Sequence, residues 1–332
     1  MKKLLCALPA LLLAAAAAAP TYTVKDRIAA PDGGWDYASI DPAANTLYVA
    51  HGASVLALDI ASGKVRSFGT IARAHAVVPL PGGLLLVTSG GDDSVRLIDP
   101  TDGSEKSKIG VGKDPDAAFY DPFTRNAVVA NAKAGTVSLI DPAKAAVVGT
   151  ITLKPGLEFA VTNGKGLLFV NNEDANEIER ADLRTGAVMS AIPMPGCEGP
   201  SGLALDAANH RLISACANGK AAVVDTVTSK LVALLDIGRG PDAVLLDAVR
   251  HVALIPCGKD GKLEVITLGD RRTLPTVVAH AATELGARTG ALDLRTGAIY
   301  LPTARFNPPT PPATRPQAAP GTFHILVVRP AA

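Results

Sequence analysis

Neither sign of charge predominates in this chain: 32 Lys and Arg stand against 31 Asp and Glu in 332 residues, a formal charge of +1. So even a balance offers no long-range field to a polyanion, and nucleic acid is not an expected partner. Aromatic side chains are scarce, at 4%. The core has to be built mainly from Val, Leu, Ile and Ala. There is no CxxC, no CxxCH, no Walker loop and no G-x-S-x-G element. Their absence removes the usual signatures of thiol redox, c-type haem, P-loop and nucleophile-elbow chemistry. No Ser-His-Asp set can be assembled from the spacing. Beyond the first twenty residues no run approaches the ~20 apolar residues of a membrane helix.

The first twenty residues stand apart. Lys2 and Lys3 precede the apolar run LLCALPALLLAAAAA, and small residues follow. This is the pattern of a secretory signal peptide over 1–19, with cleavage near Ala19. Cys6 stands at the start of the apolar run, whereas a lipoprotein cysteine follows it, so lipidation is not expected. The mature chain, 20–332, is expected to be a periplasmic or secreted monomer. That compartment tolerates disulfides. Three cysteines remain there, Cys197, Cys216 and Cys257, so at most one pair forms within the chain.

What the sequence does have is a period. KDPDAAFYDP begins at Lys113 and RGPDAVLLDA at Arg239, and Pro115 and Pro241 lie 126 positions apart. Intermediate steps fall at Trp35, Ala74, Pro115, Leu157, Pro200, Pro241 and Ala287, with gaps of 39, 41, 42, 43, 41 and 46. A second ladder, Asp59, Asp99, Asp141, Asp182 and Asp225, keeps gaps of 40, 42, 41 and 43. A period in the low forties is that of propeller blades. Each unit reads as four short strands, separated by Asp-Pro, Gly and Asn turns. The recurrent Asp at the end of a first strand is assigned to bonding turn amides.

Seven first strands are present, but the seventh unit ends without a fourth strand. The stretch YTVKDRIAAP (Tyr22 to Pro31) resembles the fourth strands and precedes the first unit. The expected fold is therefore all-β: a seven-bladed β-propeller with four-stranded blades, in one domain, closed by an N-terminal strand. One segment breaks the pattern, the Pro-rich stretch 305–321, which is expected to be a surface loop with polyproline character.

The strand-turn V-x-L-I-D-P and the G-x-x-P-D-A opening resemble the YncE-like family of periplasmic propellers with YVTN-type repeats, over roughly Ala30 to Pro330. LYVAH, LLVTS, AVVAN, LFVNN and LISAC stand where a stricter member reads Y-V-T-N. The resemblance implies the propeller fold and names no reaction. It extends to lactonase-type propellers, including a calcium-dependent gluconolactonase-like group. None of that group's metal residues is matched residue by residue.

In a propeller the first strands line the central channel, and the loops leading into them converge on one face. The position after the Pro115-type slot reads Asp36, His75, Asp116, Glu158, Ser201, Asp242 and Arg288. The end of the second strand reads His51, Ser89, Asn131, Asn172, Cys216, Cys257 and Thr303, with Glu173 and Arg305 beside it. Together they describe a polar, acidic funnel. Asp36, His51, His75, Asp116, Asn131, Glu158, Asn172, Asp242 and Arg288 are the candidate ligand-binding residues. Asp116, Glu158 and Asp242 are the candidate ligands of a divalent cation, with His extending the choice from Ca²⁺ or Mg²⁺ to Zn²⁺. Arg288 suits a substrate carboxylate. The plainer reading is that these carboxylates only bond neighbouring amides. Cys197–Cys216 is one geometrically reasonable disulfide, and Cys216–Cys257, in equivalent slots of neighbouring blades, is its competitor. Two functions remain open. One is a binding or scaffold protein of the cell envelope, taking a small molecule, a metal ion or an envelope protein. The other is a metal-dependent, lactonase-type hydrolase.

Overall fold

A computed structural model of the chain describes residues 20–308 and 316–331. Residues 1–19, where a signal peptide is expected, and part of the Pro-rich stretch lie outside the described residues. Hairpin turns write most of this structure, and they share one chemistry. An Asp closes a strand, and its carboxylate accepts the amides two or three residues on. Asp41 Oδ1 takes Ala43 N at 2.9 Å, Asp99 Oδ1 takes Thr101 N at 2.9 Å, and Asp182 Oδ1 takes Thr185 N at 2.9 Å. Four residues after the Asp the chain enters the left-handed region, as at Gly103 (φ 75°) and Asn45 (φ 50°). Both Asp ladders are thus turn caps: a short carboxylate satisfies amides that no strand can reach.

Between these turns the chain forms seven four-stranded antiparallel sheets arranged in a ring, with no helix among the described residues. In blade 3 the order is Pro115–Asp121, Asn126–Asn131, Thr136–Asp141, Ala146–Thr152, from the axis outward. Blade 7 is built from both ends of the chain. Ala291–Asp293, Ala298–Thr303 and His324–Pro330 are joined by Tyr22–Ala29 as the outermost strand, antiparallel to His324–Pro330. The N-terminal strand therefore closes the ring. The Pro-rich stretch is not purely loop: Phe306–Asn307 pairs with Gln317–Ala318 in a two-stranded ribbon.

The apolar residues sort into seven clusters, one at each blade–blade interface. Leu139 and Val128 of blade 3 meet Leu168 and Val170 of blade 4, for example. The core is a ring of sheet-on-sheet contacts filled by Val, Leu, Ile and Ala, as the low aromatic content requires.

The innermost strands are less regular than the period suggests. In blades 6 and 7 they begin at Leu245 and Ala291, four residues past the ladder positions Pro241 and Ala287. The cause lies in the strand openings, which also form the candidate site.

Candidate functional site

Pro115 pairs with Asn131, and Ala118 with Val129. Three steps on the inner strand match two on its neighbour, so one residue is extra. The same bulge recurs after Ala74, Leu157 and Pro200. In blade 6, Pro241 makes an isolated bridge to Cys257 before regular pairing resumes at Leu245. A bulge breaks the ladder and re-aims side chains. His75, Asp116, Glu158, Ser201 and Asp242 all stand at or next to one.

Neighbouring blades hold these bulges by side-chain hydrogen bonds to main-chain carbonyls. Thr289 Oγ1 donates to Asp36 O at 2.9 Å, Thr88 Oγ1 to Asp116 O at 3.0 Å, and Ser201 Oγ to Pro241 O at 3.2 Å. Asn171 Nδ2 donates to Ser201 O at 2.8 Å. These contacts fix the backbone from which the axial side chains project.

At the axis, His75 Nδ1 lies 2.6 Å from Asp36 Oδ2 and 3.5 Å from Asp116 Oδ1. These three residues, from blades 1, 2 and 3, offer donor atoms that all lie within 4.8 Å of one another. Tyr37 Oη donates to Glu158 Oε2 at 3.2 Å, across from blade 1 to blade 4. Arg288 Nε donates to Asp242 Oδ2 at 2.8 Å.

Burial and crowding set the charges. Burial, with the Asp36 charge next, pushes Asp116 up to about 7, against the opposing pull of His75. Glu158 is pushed up to about 10 by burial, then by Asp116 and Glu173. Burial also raises Asp242, and the Arg288 guanidinium opposes it. For His75, burial disfavours the imidazolium, but the hydrogen bond to Asp36 and the Asp116 charge outweigh it and raise the pKa. The cluster therefore holds protons where isolated carboxylates would be ionised.

The expected cation set of Asp116, Glu158 and Asp242 is not brought together. Glu158 is engaged by Tyr37 and Asp242 by Arg288, while Asp116 sits with Asp36 and His75. The second expected ring is turned into the protein. Asn131 is fully buried and donates to Ser138 Oγ at 3.0 Å. Asn172 is equally buried and donates to Glu179 Oε1 at 2.7 Å. His51 is buried against the Phe323 ring, with centroids 4.7 Å apart, and burial lowers its pKa. Cys197 and Cys216 are joined in a disulfide with Cα atoms 5.4 Å apart. Cys257 is free and buried, and burial pushes its thiol up to about 12, which leaves it unreactive.

Tyr37 is a residue of the candidate site that sequence reasoning missed. The slot after the bulge reads Tyr37, Ala76, Ala117, Phe159, Gly202, Ala243 and Thr289. Two aromatics oppose each other among small residues, and their rings meet with centroids 5.3 Å apart. They line an apolar cavity of about 250 Å³ bounded also by Val244 and Leu292. Tyr37 thus has its hydroxyl in the polar cluster and its ring against that cavity. A second, wider cleft of about 900 Å³ is lined by Glu173, Ser201, Asp242, Lys259, Arg288 and Phe306, among others. Lys259 lies in the turn between the second and third strands of blade 6 and Phe306 in the short ribbon of the Pro-rich stretch, positions where the repeat fixes no residue type.

No family model matches the chain, and no curated protein matches it in sequence. Solved structures match the fold. Kuenenia stuttgartiensis hydrazine synthase is 18% identical over 81% of this chain and 92% of its own, with a TM-score of 0.68. A chain of the mitotic checkpoint complex is 12% identical, covers 99% and 98%, and has a TM-score of 0.75. Streptogramin B lyase is 12% identical over 94% and 98%, with a TM-score of 0.71. At these identities the likeness is one of fold.

Proposed function

We propose that this propeller is a binding protein that takes a small polar molecule at one face of its axis. The observation that carries this reading is the 900 Å³ cleft, whose lining sets Arg288 and Lys259 beside Asp242 and Glu173, with Phe306 as an apolar wall. Few convergent charges on a largely apolar concavity are what orient a small ligand. Among the described residues Lys259 is the cation of that wall without a carboxylate partner, whereas Arg288 Nε donates to Asp242. A zwitterion or hydroxy acid with an apolar portion fits this lining. The resemblance to YncE-like propellers agrees with the fold and names no reaction. From the signal-peptide pattern over 1–19 we infer a periplasmic or secreted protein. A thermal-shift series with amino acids, hydroxy acids and lactones tests the binding reading. A saturable rise in melting temperature that is lost in Lys259→Gln supports the reading. No saturable rise with any of the three classes counts against it.

A lactonase-type, metal-assisted hydrolase is the second reading. It is favoured by one observation, the convergence of Asp36, His75 and Asp116 in the same axial ring as Asp242 and Arg288 of the cleft wall. Lactone hydrolysis measured with and without a chelator separates the two readings. Chelator-sensitive turnover selects the hydrolase, and its absence leaves the binding protein.

A further inference from the structure

Three donors from three different blades meet at the axial mouth: Asp36 Oδ2, His75 Nδ1 and Asp116 Oδ1. The two separations from Nδ1, 2.6 and 3.5 Å, bracket the donor–donor edges of about 3–3.5 Å that metal bonds of about 2.1 Å generate. The remaining edge, between the Asp36 and Asp116 carboxylates, is no longer than 4.8 Å, and the two close around the imidazole for all three to reach one ion. Asp116 Oδ1 is inaccessible to water and accepts no hydrogen bond. Buried polar atoms of this kind ordinarily find partners.

The surroundings favour a cation for two further reasons. Asp36, Asp116, Glu158 and Asp242 share the mouth, and the one guanidinium among them, Arg288, is bonded to Asp242. The donors are also held in place before any ion arrives. Thr289 and Thr88 tie the carbonyls of Asp36 and Asp116. Gly90 leaves room for the imidazole: a Cβ there would stand 2.8 Å from His75 Cδ2.

We propose that Asp36, His75 and Asp116 form a three-donor site for a first-row transition-metal dication of the Zn²⁺ or Mn²⁺ kind. One imidazole nitrogen with two carboxylate oxygens suits these ions, whereas Ca²⁺ seeks six to eight oxygens. Ligation through Nδ1 requires the neutral ring with its proton on Nε2, so binding trades the His75–Asp36 hydrogen bond for two metal bonds. Coordination positions not filled by the three side chains are left for water or for a ligand.

The site goes beyond the cleft reading and fails separately from it, since none of the three residues lines the cleft. The test is calorimetric titration of the full, tag-free chain, stripped with chelator, using Zn²⁺ and Ca²⁺. We expect one equivalent of Zn²⁺ per chain, with Ca²⁺ at least tenfold weaker. His75→Gln and Asp116→Asn should each weaken Zn²⁺ at least tenfold, while Asp236→Asn, exposed on the outermost strand of blade 5, stays within threefold. No saturable Zn²⁺ binding by folded wild type overturns the site, as does affinity retained within threefold in both ligand variants. X-ray absorption at the zinc edge needs no variant and covers the case in which one misfolds. A shell of one imidazole and oxygens at about 2.0–2.1 Å supports the assignment. A shell with sulfur or several imidazoles overturns it.

Discussion

Asp116 and Glu158 hold protons in the folded protein that an unfolded chain would have released. Their folded-state pKa values lie near about 7 and about 10, both raised chiefly by burial. The stability these groups contribute is therefore greatest at low pH. It falls as pH rises from about 4, the ordinary carboxylate value, through their folded values. His75, also raised, has the same sign: its contribution is present below about 6.5 and lost as pH climbs through its folded value. The turn aspartates act oppositely. Asp59, Asp99 and Asp182 are lowered by their turn hydrogen bonds, so their contribution is present above the ordinary carboxylate range and fades in acid. In chelator-treated protein the melting temperature should accordingly peak at weakly acidic pH and decline toward about pH 8. Asp116→Asn should flatten that decline, gaining stability at about pH 8 and little at about pH 5. Parallel melting curves for variant and wild type would refute this account of the cluster. Arg288 belongs to the same balance. Its side chain is 42% exposed, so Arg288→Gln should cost only about 1–2 kcal/mol by leaving Asp242 uncompensated. Adding Asp242→Asn should recover most of that loss in chemical denaturation. At this scale the sequence was only partly legible. Periodicity located Asp36, His75 and Asp116 in one ring. It could not show that Asn131 and Asn172 turn inward to bond Ser138 and Glu179, because side-chain direction at a strand end depends on neighbours that no spacing reveals.

The inner strand, with its bulge, is the element on which the site depends. Without the extra residue, the side chain at the Asp116 position would follow strict alternation along the strand. Close approach between these strands is strictest at Gly202, where a Cβ would come within 2.5 Å of Ala243 Cα and 2.8 Å of Val244 N. Backbone of the adjacent blade cannot yield as a side chain can. Gly202→Ala should cost about 1–3 kcal/mol in urea denaturation and shift the Ser201–Pro241 contact, whereas Gly34→Ala, with open space around it, should be near neutral. Equal effects at the two glycines would contradict the packing argument. The Cys197–Cys216 disulfide ties the loop before blade 5 to the end of its second strand across a sequence separation of 19. Its removal, as Cys197→Ala with Cys216→Ala, should cost about 3 kcal/mol through the loop-closure entropy of the unfolded chain. Turns were the most legible elements, since Asp and a left-handed residue four positions later carry their conformation locally. The bulges were not, because a one-residue surplus appears only once two strands are paired.

The whole molecule depends on how the ring shuts. Tyr22–Ala29 is the outermost strand of blade 7, registered from Tyr22 opposite Pro330 to Ala29 opposite His324. Its side chains serve two interfaces at once. Tyr22 is buried in the cluster between blades 6 and 7, and Ile28 packs into the cluster between blades 7 and 1. One strand, far in sequence from its partner, thus completes a sheet and fastens both of its neighbours. This was readable from the count of repeats: a seventh unit without a fourth strand, and a fourth-like strand without a unit, imply each other. Closure also keeps the metal-donor geometry, because Thr289 of blade 7 holds the Asp36 carbonyl of blade 1 across the seam. Deleting residues 20–29 should therefore do more than lower the melting temperature. It should bare the His324–Pro330 edge, a template for pairing with another chain, and sedimentation velocity should show larger species than the intact chain gives. Adding the peptide YTVKDRIA in excess should restore the monomer and raise the melting point in a saturable way. A truncated chain that stays monomeric and melts with the wild type would mean that the ring is held by blade–blade packing alone, and that the terminal strand only decorates it.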